Sequence, residues 1–415
     1  MLSHSVFTIP KTVLGLEKNA FQGISLKGIE FEKNSRCKYI GESAFADSSI
    51  KEIKLPEGLT TIDCQGFYCC SSLESITFPK SIESIGLEAF WDCDSLKSIV
   101  FEENDHDVYI AGNAFGSIEN LENIVLPKHV CYLFDEDRLE TSGVFLDTTC
   151  SDTIIPEGTK RICEHLFAGA KFPNGIKFPK SLEKIERFAF CESIINEVDL
   201  SNTNTVTIEE NGFYDAENLE TVKLSKTLKT IESNAFKDST SLKTVIFPED
   251  CQIDKIGNQA FSGCTSLSEI FFPKSIKHLE GYAFESCEEL AAVNFENTDL
   301  KTIPGSCFHN CHSLQELTLG SHVVAIGGDA FNNCNLTNVK IPANIKSIST
   351  SAFYDNSNLT TIDLTDFTEP RVDKVPCIGM DVFPSEVTIN VANEEMKTFF
   401  ESAAYWSDYH FEVAQ

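Results

Sequence analysis

Ile256-Gly-Asn-Gln-Ala-Phe-Ser-Gly-Cys-Thr-Ser-Leu-Ser-Glu-Ile-Phe-Phe-Pro273 is one complete statement of a unit that the chain repeats. Its Phe261 has counterparts at positions 21, 45, 67, 90, 115, 145, 167, 190, 213, 236, 284, 308, 331, 353 and 383, spaced 22 to 30 residues apart and most often 23. Ten of the sixteen follow an alanine. An Ile recurs five residues earlier, as at Ile62, Ile85, Ile208 and Ile256, and a Leu six residues later, as at Leu73, Leu96, Leu242 and Leu267. A fixed period of this length is the signature of a solenoid with one strand-bearing coil per repeat.

From each Leu runs L-x-x-[IV]-x-[LF], often closed by proline, as in Leu73-Glu-Ser-Ile-Thr-Phe-Pro79. Its last apolar positions alternate with outward ones, the period of a half-buried strand. The following proline stops the strand because it cannot donate a ladder hydrogen bond. One coil therefore reads as a short strand, a turn, an I-x-x-I segment and a small-Phe knuckle expected to be one helical turn. No coil can enclose its own Phe, Ile and Leu, so stacking must build the core. A length of 415 residues would otherwise suggest several globular domains, but an array grows along one axis. With 32 Phe against 3 Met, the core is expected to be anchored by stacked aromatic rings.

The pattern I-G-x-x-A-F-x-x-C-x-x-L-x-x-I-x-[LF]-P resembles the BspA-like family of leucine-rich repeats, over roughly residues 6–385. The resemblance implies a leucine-rich repeat solenoid, a curved right-handed β/α superhelix of about 16 coils. It also implies a cell-surface or secreted protein that adheres to host, matrix or cell-surface proteins, with no catalytic residues and no cofactor. The expected organisation is a solenoid over 1–385 and a small strand-helix cap over 386–415. In that cap Glu386-Val-Thr-Ile-Asn-Val391 reads as a strand, and Asn393 N-caps a helix with Glu394 and Glu395 in its first turn. Phe399, Phe400, Tyr405, Trp406 and Phe411 supply its apolar face.

No run of 18 apolar residues occurs, so no membrane-spanning segment is expected. Met1-Leu-Ser-His-Ser-Val6 lacks the basic and apolar regions of a secretion signal, which makes a cytoplasmic location the alternative. Residues 6–21 already read as the tail of a coil, which points to a longer precursor. The period breaks between Phe115 and Phe145, where an insertion near 129–143 is expected to be a surface loop, and again after Phe353, at Asp366–Asp373.

Six of the 16 cysteines, Cys70, Cys93, Cys264, Cys287, Cys311 and Cys334, stand three residues after the repeat Phe. A disulfide ladder is one reading. Small buried thiols that donate weakly to backbone carbonyls are the favoured one, because equivalent positions on stacked coils have parallel Cβ vectors. Cys307, His309, Cys311, His312 and His322 carry zinc-type ligands, yet both cysteines occupy packing positions of the repeat, and no metal is expected. No phosphate loop, H-E-x-x-H pair or G-x-S-x-G elbow appears, and an enzyme is not expected.

The formal charge of −30, from 33 basic and 63 acidic residues, disfavours nucleic acid and anionic membranes and favours a cationic protein partner. Recognition is expected on the strand face. Its outward position reads mostly polar but is apolar at Val100 and Val125, and at Ile246 and Phe271. An exposed aromatic is a hot-spot candidate, so Ile246 and Phe271, rimmed by Lys223 and Glu269, form the expected protein-binding patch. Three classes follow: an adhesion or protein-binding module, an intracellular acidic solenoid that inhibits a basic protein, and a structural spacer.

Overall fold

A computed structural model describes residues 6–133, 142–370 and 376–414. It is a parallel β-solenoid of about 17 turns with almost no helix, and it divides into two compact units, Met1–Thr205 and Val206–Gln415.

Most coils place two short strands, not one, in parallel ladders. In the first unit the L-x-x-I-x-L segments form ladders such as Ser75–Phe78, Ser98–Phe101, Asn123–Val125 and Asp152–Ile154. The I-x-x-I segments form a second, lateral ladder from Gly15–Leu16 to Val130–Leu133. The second unit repeats both, for example Thr221–Lys223 beside Thr244–Ile246, and Thr230–Ile231 beside Lys255–Ile256. The lateral strands span two residues in most coils, too short to leave a period-2 signal in the sequence.

The knuckle is not the expected helical turn. Around Phe261 the N–H groups of Ala260, Ser262 and Cys264 donate to carbonyls three residues back, at 3.3, 3.1 and 3.2 Å. Those of Gln259, Phe261 and Gly263 donate instead to Gly281, Ala283 and Glu285 of the next coil, at 3.2, 2.8 and 2.9 Å. A helix would turn every N–H along its own axis and leave nothing to stitch coil to coil. The alternation requires left-handed backbone two residues before and two after the Phe, as at Gln259 (φ 54°) and Gly263 (φ 74°). Asp47, Asp92, Asp238, Asn310, Asn333 and Asp355 fill the second position in other coils. Asn and Asp are the side chains that enter this region most easily.

The phenylalanines stack inside this scaffold. In the first unit, successive rings from Phe21 to Phe167 lie 4.9 to 5.6 Å apart. In the second, those from Phe213 to Phe383 lie 5.2 to 5.6 Å apart. Offset stacking and strand spacing share nearly one repeat, so the rings and the ladders reinforce each other.

At the C-terminus the strand Thr388–Val391 pairs in register with Thr361–Asp363, and His410–Val413 pairs on its other side. Between them lies the helix Glu394–Glu401, whose N-cap Asn393 side chain accepts from Met396 N–H at 2.9 Å. Phe400, Trp406 and Phe411 are buried, whereas Tyr405 points outward instead of joining the expected apolar face. Among the described residues no helix is long and apolar enough to cross a membrane.

The ring stack yields a stability test. Phe261→Ala removes a ring in contact with both Phe236 and Phe284 and is expected to cost about 3–5 kcal/mol, read from the shift of the urea unfolding midpoint.

Candidate functional site

The strand face presents two outward residues per coil, on either side of its buried Ile or Val. In the first unit the ladder register aligns Thr77, Val100, Val125 and Ile154, and an isolated bridge continues the row to Lys177. Val100 and Val125 are thus true neighbours, both half-buried. Ile154, exposed by 51%, extends their apolar row. Sequence reasoning missed it because this coil hides its pattern. Thr153 faces inward where other coils carry Ile or Val, and Cys150 takes a buried place before it.

In the second unit Lys223 pairs in register with Ile246. The next coil departs from the ladder. Residues 269–271 form no strand, Glu269 bridges forward to Ala292, and among the described residues no ladder bond joins this segment to Thr244–Ile246. Phe271 stands there with 72% of its surface exposed, the most exposed large apolar side chain described. Its neighbour Phe272 turns inward and stacks on Phe295 at 5.1 Å. One ring of this pair anchors the coil, and the other is left to solvent.

The same coil interrupts the lateral ladder on its far side. Gly257, Glu280 and Gly327 donate to Ile231, Ile256 and Ile303 of the preceding coils. Pro304 occupies the equivalent place and has no N–H to give. The lateral sheet ends at His278–Leu279 and resumes at Thr302–Ile303. A cleft of about 640 Å³ opens at this break, lined by Lys277, His278, Lys301 and His322 with Asp299.

The segment expected to hold an insertion, near 129–143, is described only in part. Val130–Leu133 is a lateral strand paired with Val108–Ala111, while residues 134–141 lie outside the described residues. Upstream, the acidic run Glu102-Glu-Asn-Asp-His-Asp107 is partly neutralised, since Lys128 Nζ lies 2.6 Å from Glu103 and 3.6 Å from Asp105. Of the second break, residues 371–375 likewise lie outside the described residues.

The cysteine column is a hydrogen-bond column. Cys70, Cys93, Cys264, Cys287, Cys311 and Cys334 each donate to the carbonyl of the preceding coil's Phe, at 3.0 to 3.3 Å. Thr148, Ser239 and Asn356 serve the same carbonyl in their coils. What the position shares across coils is burial, as Ile118, Ala170 and Ala216 at the same offset show, and sulfur is one of several small donors it accepts. No two of the sixteen cysteines are bridged. Burial holds the thiols protonated, pushing Cys70 up to about 11 and Cys93, Cys287 and Cys311 well above the usual range.

The residues with zinc-type ligands have other partners. Cys307 and Cys311 are fully buried. His309 Nδ1 faces Glu285 at 3.6 Å, His312 Nε2 faces Asn333 at 3.3 Å, and His322 Nδ1 faces the Thr298 carbonyl at 3.1 Å. Among the described residues no three His, Cys, Asp or Glu side chains converge as metal ligands do.

Stacked strand-turn coils around an aromatic column define a leucine-rich repeat solenoid, a class whose extended faces serve binding. Residues 14–136, 141–254 and 250–360 match the BspA type leucine rich repeat region, in six copies, and the chain belongs to that family. A leucine-rich repeat protein from Bacteroides ovatus shares its fold, with a TM-score of 0.51 and 20% identity, over 99% of this chain and 92% of that one. A leucine rich cell surface protein from Faecalibacterium prausnitzii aligns at 22% identity and a TM-score of 0.37, over 76% of this chain and 78% of that one. The pneumococcal vaccine antigen PcpA aligns at 22% identity and a TM-score of 0.30, over 99% and 79%. No curated protein matches the sequence.

The buried thiols carry a pH dependence. Unfolded cysteine ionises near about 8.5, whereas the folded thiols keep their protons to higher pH. The unfolded chain then binds fewer protons than the folded one, so this stability is complete below about pH 8.5 and is lost as pH rises. The urea midpoint is expected to fall above that pH, by up to about 1.4 kcal/mol per pH unit for each such thiol. Cys287→Ser, which keeps a donor but does not ionise, is expected to flatten the slope by one thiol's share.

Proposed function

We propose that this chain is a non-enzymatic protein-binding module that holds a partner against its strand face. The carrying observation is Phe271, an aromatic ring exposed by 72% on a face whose outward row is otherwise mostly polar. Burying such a ring in a partner's pocket is the kind of contact that dominates interface energies. In this reading Ile246 and Phe271 are the anchors of the second unit, with Lys223 and Glu269 at the rim. Val100, Val125 and Ile154 form a separate apolar patch on the first unit. The charge of −30 supports a cationic partner, drawn in by long-range attraction before the apolar contact forms.

Family membership supports a cell-surface or secreted setting, with a host, matrix or cell-surface protein as ligand. The sixteen unbridged thiols support a second reading on the same surface, an intracellular module that inhibits a basic protein, because reducing compartments keep thiols unpaired.

Capture on the immobilised chain, from extracellular-matrix extract and separately from cell lysate, separates the two settings. For the captured protein, Phe271→Ala is expected to weaken affinity at least about tenfold while moving the unfolding midpoint by less than about 0.5 kcal/mol. Raising salt from about 50 to 300 mM is expected to slow association. An unchanged affinity in Phe271→Ala would remove the strand face as the binding site.

A further inference from the structure

Beyond the strand face, the second unit holds a cavity of about 500 Å³ near its C-terminal segment, lined in part by Tyr354, Met380, Asp381, Tyr405, Asp408 and Tyr409. Three of its apolar side chains are exposed to a degree rare in this chain: Tyr354 by 47%, Met380 by 62% and Tyr405 by 54%. Phe383, which also lines the cavity, is itself buried, and Tyr409 meets it edge-on at 5.5 Å. The Tyr409 hydroxyl accepts from Phe383 N–H at 3.3 Å, which fixes that ring in place.

The charges in the cavity have one sign. Asp381 and Asp408 line it, and among the described residues no Lys, Arg or His does so and neither carboxylate makes an ion pair. A wholly apolar occupant would bury both carboxylates without partners, which is costly, and an anion would be repelled. Aromatic faces with nearby carboxylates are the chemistry that recognises a cation, through ring quadrupoles and direct charge.

We propose that this cavity is a cage for one cationic side chain, an arginine or lysine of the partner protein. The inference deepens the protein-binding reading and rests on it. It adds a charge-selective contact in a different part of the second unit from Phe271.

Two cage positions allow clean substitution. Tyr405 has φ 65° and Asp381 has φ 50°, so Tyr405→Gly and Asp381→Asn suit their left-handed backbones. Tyr354→Ala, at an exposed side chain, is a third variant whose folding is checked by its urea midpoint. The probes are tetra-arginine and tetra-citrulline, titrated calorimetrically into the full chain at low salt. Citrulline keeps the shape of arginine and removes its charge.

Tetra-arginine is expected to bind, and tetra-citrulline is not. Each cage variant is expected to weaken tetra-arginine at least about threefold. Glu119→Gln, an equal charge change at an exposed site in the first unit, is expected to leave it unchanged. Phe271→Ala is also expected to leave it unchanged, so loss of the strand-face reading and loss of the cage are read separately. Equal binding of tetra-citrulline would overturn the cage, as would weakening by Glu119→Gln equal to that by Asp381→Asn with no effect of the tyrosine variants.

Discussion

The backbone N–H groups of each knuckle point alternately in two directions, and the remainder of the solenoid depends on that division. Half close tight turns within the coil, and half reach the carbonyls of the next coil, as Phe261 does to Ala283 at 2.8 Å. The division holds successive coils near strand spacing on the knuckle side, just as the two ladders do on theirs. Only at that spacing can the phenylalanines stack, at 5.2 Å between Phe236 and Phe261. The conformational requirement is a left-handed residue on each side of the ring. The chain meets it repeatedly with Asp, Asn and Gly, whose cost in that region is low.

Because the knuckle fixes which groups face inward, the demands on each inward position become narrow. In nine coils the place three residues after the Phe holds Cys, Ser, Thr or Asn, which donates to the preceding coil's Phe carbonyl, and Ile118, Ala170 and Ala216 fill it by burial alone. The outward positions carry no such demand and are free to serve recognition. Two departures from the pattern fall on neighbouring coils of the second unit. There Phe271 stands outside the strand ladder, and Pro304 on the following coil leaves the lateral ladder open beside Lys277 and Lys301. A repeat protein tolerates such a fault because each coil answers only to its neighbours.

The fold was legible because its determinants recur: a ring about every 23 residues, a Leu and an Ile at fixed offsets, and a proline at strand ends. The two errors in reading the coil share a cause. A two-residue lateral strand is shorter than any period that could announce it. The knuckle was read as helical because spacing alone cannot report the sign of φ, although the Asp, Asn and Gly two residues after the ring carried that information. In the candidate site, Phe271, Ile246, Val100 and Val125 were found by offset from the repeat. Ile154 was not, because Thr153 replaces the inward apolar residue that would have set its register.

By itself, then, the sequence determined what repetition can encode: the solenoid, its aromatic column, the thiol column's packing role and the outward apolar residues of regular coils. The tertiary structure alone decided what arises between residues without a common offset. Tyr354, Asp381, Tyr405 and Tyr409 come from different segments and line one cavity only once the C-terminal segment has folded against the last coils. The cleft beside Pro304 likewise lies where one coil has no N–H to offer the coil before it and the lateral ladder is interrupted. Such sites depend on how neighbouring coils meet, and no single repeat contains that information.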